Sequence, residues 1–219
     1  MTTAGISNTN VDAMISGQKW DLSATETLSW SYYETSGVTY SYAFDSSAGV
    51  TAGNSIINSA GDTVIVKEMM DLWDQAAGFT LEHVIETSSA GGTVVGEIRM
   101  RETNQSGSQA GYAALAAFPG TAARSGDAWF TNNYGHPFIK GNYNWSTFLN
   151  EIGHAIGLSH PFGHSQSGAT LGQNDDIERR SLMSYTSTDR NYYWATSGGT
   201  LQTSIFFAET PGIFDIQAV

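Results

Sequence analysis

The chain has 219 residues and no cysteine, and 21 Asp and Glu against 9 Lys and Arg leave a formal net charge of −12. That balance argues against nucleic-acid binding, which needs clustered Lys and Arg at phosphates. The absence of thiols excludes disulfides, thiol catalysis and thiolate metal ligands, so a bound ion must draw on His, Asp, Glu or Tyr. No apolar run approaches the roughly 20 residues that span a bilayer, and no basic segment followed by an apolar one opens the chain, so neither a membrane anchor nor a Sec-type leader is expected. A hydrophobic fraction of 40% with 12% aromatics is ample for a core. No Pro-rich linker or block of like charge divides the chain, so a single domain over residues 1–219 is expected.

Residues 1–10 are small and polar, as a frayed end or pro-segment remnant would be. From Leu28 to Phe44 apolar and polar residues alternate, interrupted at Thr35-Ser36-Gly37, which predicts a hairpin or two strands. A Gly-, Ser- and Asn-rich loop is expected over 46–61. Val66, Met69, Met70, Trp73, Ala76 and Ala77 then recur at helical spacing, a core face that Gly78 ends. Phe79 to Ile85 and Glu97 to Glu102 predict strands around a turn-rich Ser88 to Gly92, with His83 an ordinary strand histidine. The small-residue stretch from Gln109 to Gly120 predicts an edge strand, and Asp127 to Asn132 another short strand. His136 and His164 sit in polar loops and read as surface histidines. Gly163 to Arg180 reads as a solvated loop, in which Asn174, Asp175, Asp176 and Glu178 are the residues able to ligate a hard cation. Thr210 and Pro211 are in cap and first-turn order for a last helix.

The most informative stretch is Asn150-Glu151-Ile152-Gly153-His154-Ala155-Ile156-Gly157-Leu158-Ser159-His160, with Asn142 or Asn144 able to cap its helix. Positions 150 and 154 lie on one side of a helix, while Phe148, Ile152, Ala155 and Ile156 turn the other way. Gly157 can take the left-handed conformation that ends a helix and returns the chain, bringing His160 beside His154. Glu151, His154, Gly157 and His160 match the metzincin pattern H-E-x-x-H-x-x-G-x-x-H, and Asn150 stands where its first histidine would be. Downstream, Ser181-Leu182-Met183-Ser184-Tyr185 resembles the Met-turn of the serralysin branch. Asn10 to Trp20, Gly126 to Phe130 and Thr210 to Ile216 resemble further serralysin segments.

The resemblance implies an α/β (α+β) metzincin-like fold: two unequal lobes, a twisted and mainly parallel five-stranded sheet with one edge strand over the cleft, and long helices including the site helix beneath. It implies a zinc metalloendopeptidase that cuts internal peptide bonds of extended substrates. Zinc is redox-inert and lowers the pKa of a bound water towards about 7. Glu151 would then act as general base and acid. His154, His160 and Tyr185 would ligate the metal, with Asn150 a degenerate first ligand. Tyr185 would also stabilise the oxyanion, and Met183 would floor the site. Tyr112, Ala113, Ala114 and Leu115 become candidates for backbone contacts to a peptide. Serralysins are secreted, so an extracellular, monomeric protein is expected. Their calcium-binding repeats lie beyond the catalytic domain, so calcium is expected only there and this chain is read as an isolated catalytic domain. Asn150 leaves three explanations: a domain deliberately disabled against self-digestion, a natural noncatalytic peptide-binding pseudoprotease, or an enzyme that recruits another ligand. The first is favoured because the other residues the chemistry needs are retained. A structural role of S-layer or adhesin type is a distant alternative suggested by composition alone.

Overall fold

A computed structural model describes residues 9–22, 25–32, 60–89, 92–103, 111–131, 138–163, 165–188, 192–197 and 199–219. Five strands form the main sheet: β1 (Thr27–Tyr32), β2 (Thr80–His83), β5 (Ile98–Thr103), β6 (Ala114–Ala116) and β7 (Asp127–Thr131), in the order β2-β1-β5-β7-β6. The first four neighbours run parallel, and β6 pairs antiparallel with β7 at the edge, opposing Leu115 to Trp129. Two small hairpins stand apart, β3 (Thr87–Ser89) with β4 (Gly92–Val94), and β8 (Tyr192–Ser197) with β9 (Thr200–Ile205). The helices are α1 (Thr9–Met14), α2 (Ala60–Ala76), α3 (Tyr143–Ile156) and α4 (Ile213–Ala218). No helix among the described residues is long and apolar enough to cross a membrane.

The expected α/β class and mostly parallel five-stranded sheet are present. Several local expectations shift. The hairpin read over Leu28 to Phe44 is described only as far as β1, its remainder lying outside the described residues along with the loop read at 46–59. Thr9 and Asn10, read with the chain end, stand in α1, whereas residues 1–8 lie outside. The turn-rich Ser88 to Gly92 carries the short β3–β4 hairpin. Pro211 precedes α4, which begins at Ile213 because Asp215 reaches back to accept a hydrogen bond from the Gly212 N–H at 2.7 Å, fixing Gly212 as the N-cap. His83 is stacked on Tyr32 and tilted against Trp30 within the sheet, as an ordinary strand histidine would be.

Helices α2 and α3 lie together against the sheet. Of the expected stripe, Val66, Met69, Met70 and Trp73 are wholly buried, each contributing about 1.5–3 kcal/mol over its exposed state, and Ala76 and Ala77 are partly buried. The Trp73 indole donates to the Leu149 carbonyl at 3.0 Å, tying α2 to the middle of α3. On the sheet side of α3, Phe148 stacks on Phe130 of β7 with ring centroids 5.1 Å apart and meets Phe138 edge-on. The apolar face of α3 therefore fixes its rotation, and its polar face is turned toward the edge strand β6.

Two further attachments hold the segment after α3. The Ser159 N–H donates to the Met14 carbonyl at 2.7 Å, the Ser16 N–H to the Gly157 carbonyl, and Ile15 bridges Leu158. Asp215 of α4 is fully buried and receives the Leu182 N–H at 2.6 Å and the Ser181 hydroxyl at 2.8 Å, in addition to Gly212. One carboxylate thus anchors the turn that contains Met183.

Burial pushes the Asp215 carboxyl up to about 6, against the hydrogen bonds from Leu182, Gly212, Ser181 and Met183 that favour its charged form. Because the folded value lies above the ordinary one, the native state holds this proton more tightly. The stabilisation from the protonated group is present below the ordinary carboxylate range and is lost as pH rises toward 6. An Asp215→Asn protein cannot satisfy the facing N–H donors as fully and should be less stable at every pH. Its deficit should be largest near pH 4 and shrink toward pH 6, as read from urea unfolding at a series of pH values. A deficit that grows with pH would contradict this.

Candidate metal centre and cleft

Helix α3 ends as its sequence requires. Gly157 takes φ +118° and ψ 4°, with its N–H on the His154 carbonyl and the next N–H on the Gly153 carbonyl. A Cβ at 157 would lie 2.7 Å from the Gln18 carbonyl, so glycine is needed there for both conformation and space. The reversal brings the two imidazoles together, with His154 Nε2 and His160 Nε2 3.1 Å apart.

Their tautomers follow from what surrounds the other nitrogens. His154 Nδ1 lies 2.9 Å from the Leu158 carbonyl and His160 Nδ1 2.8 Å from the Met183 carbonyl. A carbonyl only accepts, so both Nδ1 atoms carry the hydrogen and both Nε2 atoms present lone pairs. The Tyr185 hydroxyl donates to one of them, His160 Nε2, at 2.9 Å. Two lone pairs facing each other at this separation repel unless a positive charge lies between them. Two nitrogens on a tetrahedral zinc at about 2.05 Å would stand about 3.3 Å apart, so the pair fits that ion.

Asn150 does not complete the set. Its side-chain amide is buried and donates to the Leu182 carbonyl at 3.2 Å, with the Met183 sulfur at 3.8 Å, so it is turned onto the Met-turn. Among the described residues no group of three His, Asp or Glu side chains is placed to hold an ion. The acidic residues of the 163–180 segment are engaged separately. Asp175 pairs with Arg180, Asp176 accepts from the Ser184 hydroxyl at 2.6 Å, and Glu178 bonds to Ser187. His136 and His164 lie outside the described residues.

Glu151 is 93% buried (7% exposed). Burial pushes its carboxyl up to about 8. Tyr185 is pushed up to about 12 by desolvation first, then by the negative charge of Glu151 and by Tyr143, so its phenol stays protonated at neutral pH. Both residues line two adjoining cavities. One, of about 280 Å³, takes in His154, His160, Phe118 and the β6 residues Ala114, Leu115 and Ala116. The other, of about 440 Å³, takes in Tyr112, Ala113, Ala114, Asn150 and Glu178. Tyr112, Ala113, Ala114 and Leu115 therefore all border the cleft. Met183 is completely buried beneath α3, and Gly153 faces its sulfur.

Sequence reasoning did not single out Tyr143, Thr147 or Phe207, which also line the larger cavity, and it named Glu178 and Leu182 in other connections, as a hard-cation candidate and as part of the Met-turn-like segment. Tyr143 and Thr147 precede Glu151 by eight and four residues, so helical periodicity alone places them on its face. Phe207 and Glu178 arrive from remote segments and leave no such signal.

A mostly parallel sheet with an antiparallel edge strand, beside a helix that carries one histidine and is followed by a turn that brings up a second, is compatible with a metzincin-like α+β fold. Comparison with known proteins points to one branch. The chain is 33% identical over 162 residues to Metallopeptidase AprA of Pseudomonas marginalis, covering 68% of this chain and 31% of that protein. It is 30% identical over 161 residues to Serralysin B of Dickeya chrysanthemi, covering 70% and 31%. With Serralysin A of the same organism the identity is 32% over 113 residues, covering 50% and 22%. No family model matches. The chain is thus related to the serralysin metallopeptidases along about 70% of its own length, and it spans less than a third of the length of the curated relatives it matches.

Two measurements check the geometry. Nitrogen-15 shifts of the imidazoles in metal-free protein, at a pH where both rings are neutral, should place the proton on Nδ1 in His154 and in His160. An Nε2–H form of either would break the argument. A Cβ at Gly153 would lie 2.6 Å from the Met183 sulfur and 3.2 Å from the Trp73 ring. Gly153→Ala should therefore cost about 1–3 kcal/mol in a denaturation experiment, in spite of alanine's better helix propensity. An unchanged or raised stability would show that Met183 moves aside freely.

Proposed function

We propose that the chain is a zinc-dependent metalloendopeptidase domain of serralysin type, acting outside the cell as a monomer on internal bonds of extended protein substrates and weakened by Asn150. The observation that carries this reading is the imidazole pair, held by main-chain carbonyls with both Nε2 lone pairs converging beside the buried Glu151. The names of the relatives, metallopeptidase and serralysin, support it.

When bound, zinc supplies a Lewis acid that acidifies water and polarises a carbonyl. His154 and His160 would hold it, with Tyr185 beside them. Glu151 lines the cleft with both imidazoles and in its ionised form would take a proton from a water held there and return it to the leaving amine. The Tyr185 phenol remains a donor at neutral pH and is available to the oxyanion that develops on the substrate carbonyl. β6 bonds to β7 on one side, and its residues line the cleft, where an extended peptide can add as a further strand.

A second reading, a noncatalytic peptide-binding module in the same cleft, is favoured by one observation: Asn150 donates to the Leu182 carbonyl instead of offering a third imidazole. Asn150→His discriminates. Losing a partner one shell outside the metal costs about 10 to 100-fold in affinity, so supplying a direct ligand should raise zinc affinity by more than about a hundredfold, read by competition with a chromogenic chelator. Casein cleavage should appear with it. Adding Glu151→Gln should abolish cleavage and leave the zinc bound, because Glu151 moves protons and does not ligate. If the Asn150→His protein binds zinc stoichiometrically and cuts no unfolded protein, the hydrolase reading fails and the binding module replaces it.

A further inference from the structure

The chain leaves His160 through a four-residue turn, His160-Pro161-Phe162-Gly163, closed by the Gly163 N–H on the His160 carbonyl at 3.2 Å. Proline at the second position and glycine at the fourth are favoured in such a turn. The Pro161 carbonyl accepts from the Leu171 N–H at 2.8 Å, which ties the turn to the segment that follows. The third position is thereby folded back onto the first. The Phe162 ring lies nearly parallel to the His160 imidazole, with centroids 5.0 Å apart and planes 10° apart. Tyr185 closes a triangle, 4.5 Å from the His160 ring and 5.2 Å from that of Phe162, with its hydroxyl on His160 Nε2. Phe162 is still 45% exposed, so burial alone accounts poorly for a phenylalanine at this place.

We propose that Phe162 is a positioning residue of the candidate metal centre, its stacked ring holding the plane of the His160 imidazole and the Tyr185 phenol beside it. The hydrogen bond from Nδ1 to the Met183 carbonyl fixes one point of the imidazole and by itself leaves the plane able to tilt about that contact. A second ring lying along its face resists the tilt, because a near-parallel, offset pair at this separation is one of the arrangements that aromatic quadrupoles favour. The direction of the Nε2 lone pair follows from the plane, so Phe162 acts through His160 and touches no ion. His154 has a different support, since Phe118 meets it edge-on at 5.4 Å. The inference rests on the peptidase reading for the purpose of the centre, and on the stack alone for the hold on His160.

The test uses the whole chain and two variants. Phe162→Leu keeps apolar bulk without a ring, Phe162→Tyr keeps the ring, and both should unfold in urea close to the natural chain. Nitrogen-15 shifts of the metal-free proteins, at a pH where the imidazoles are neutral, should show His160 with its proton on Nδ1 in the natural chain and in Phe162→Tyr. In Phe162→Leu the Nε2–H form of His160 should appear, while His154 keeps its Nδ1 proton. Zinc affinity, read by competition with a chromogenic chelator, should fall about threefold to tenfold in Phe162→Leu, the range that an aromatic pair is worth, and stay within about twofold in Phe162→Tyr. An unchanged His160 tautomer in Phe162→Leu overturns the proposal, as does a zinc affinity equal in all three proteins. Equal impairment of both variants overturns it too, and a stability loss in Phe162→Leu that accounts for its other changes makes Phe162 a packing residue. If the natural chain takes up no zinc while Phe162→Leu releases the His160 tautomer, the hold on His160 stands and the metallopeptidase reading falls.

Discussion

Two main-chain carbonyls, those of Leu158 and Met183, determine what the site can be. Each accepts from the Nδ1 of one histidine, at 2.9 and 2.8 Å, and so each turns the lone-pair nitrogen of its ring toward the other ring. Neutral imidazoles free in water would turn away from such an approach. Here the fold holds them 3.1 Å apart, a separation that a positive charge between them makes favourable.

Much of the remaining architecture serves to keep those carbonyls still. Leu158 lies in the segment laced to Met14 and Ser16. Met183 lies in a turn that Asp215 of α4 grips through the Ser181 hydroxyl and the Leu182 N–H. The helix between them cannot rotate because Phe148 is stacked in the sheet and Trp73 is bonded to Leu149. Segments from the start, middle and end of the chain thus converge on one pair of rings. Glu151 shares that rigidity, since it leaves the helix beside the same buried faces.

What could be read from residues alone was local. The α2 stripe, the polarity of α3 and the reversal at Gly157 are matters of helical spacing and of one residue's conformational freedom, and they were found as read. The edge character of β6 was also evident, because Ala-rich sequence closed by Pro119-Gly120 suits a short strand. The hairpins at Thr87–Val94 and Tyr192–Ile205 were not, since turn-rich or weakly alternating sequence forms strands there by pairing with itself. The direction of the Asn150 amide was likewise beyond sequence reasoning, as it depends on where the Leu182 carbonyl comes to rest. Glu178 read as part of a solvated loop and as one of the residues able to ligate a hard cation, because nothing near it in the chain reveals Phe207 and Tyr143 as its companions around one cavity.

The use of main-chain oxygens to set the histidine tautomers bears on how such a site ages. A side chain that orients a ligand can be lost in a single codon change, whereas no replacement at position 158 or 183 removes the carbonyl. The hydrogen bonds at these two points are therefore inherited with the backbone path itself. Direct ligands have no such insurance, and if position 150 is one, as proposed, a single nucleotide change, CAT to AAT or CAC to AAC, carries it from histidine to asparagine. A lineage can cross that step and return while the remaining pair stays oriented, so a site built this way keeps a short route back to a complete ligand set.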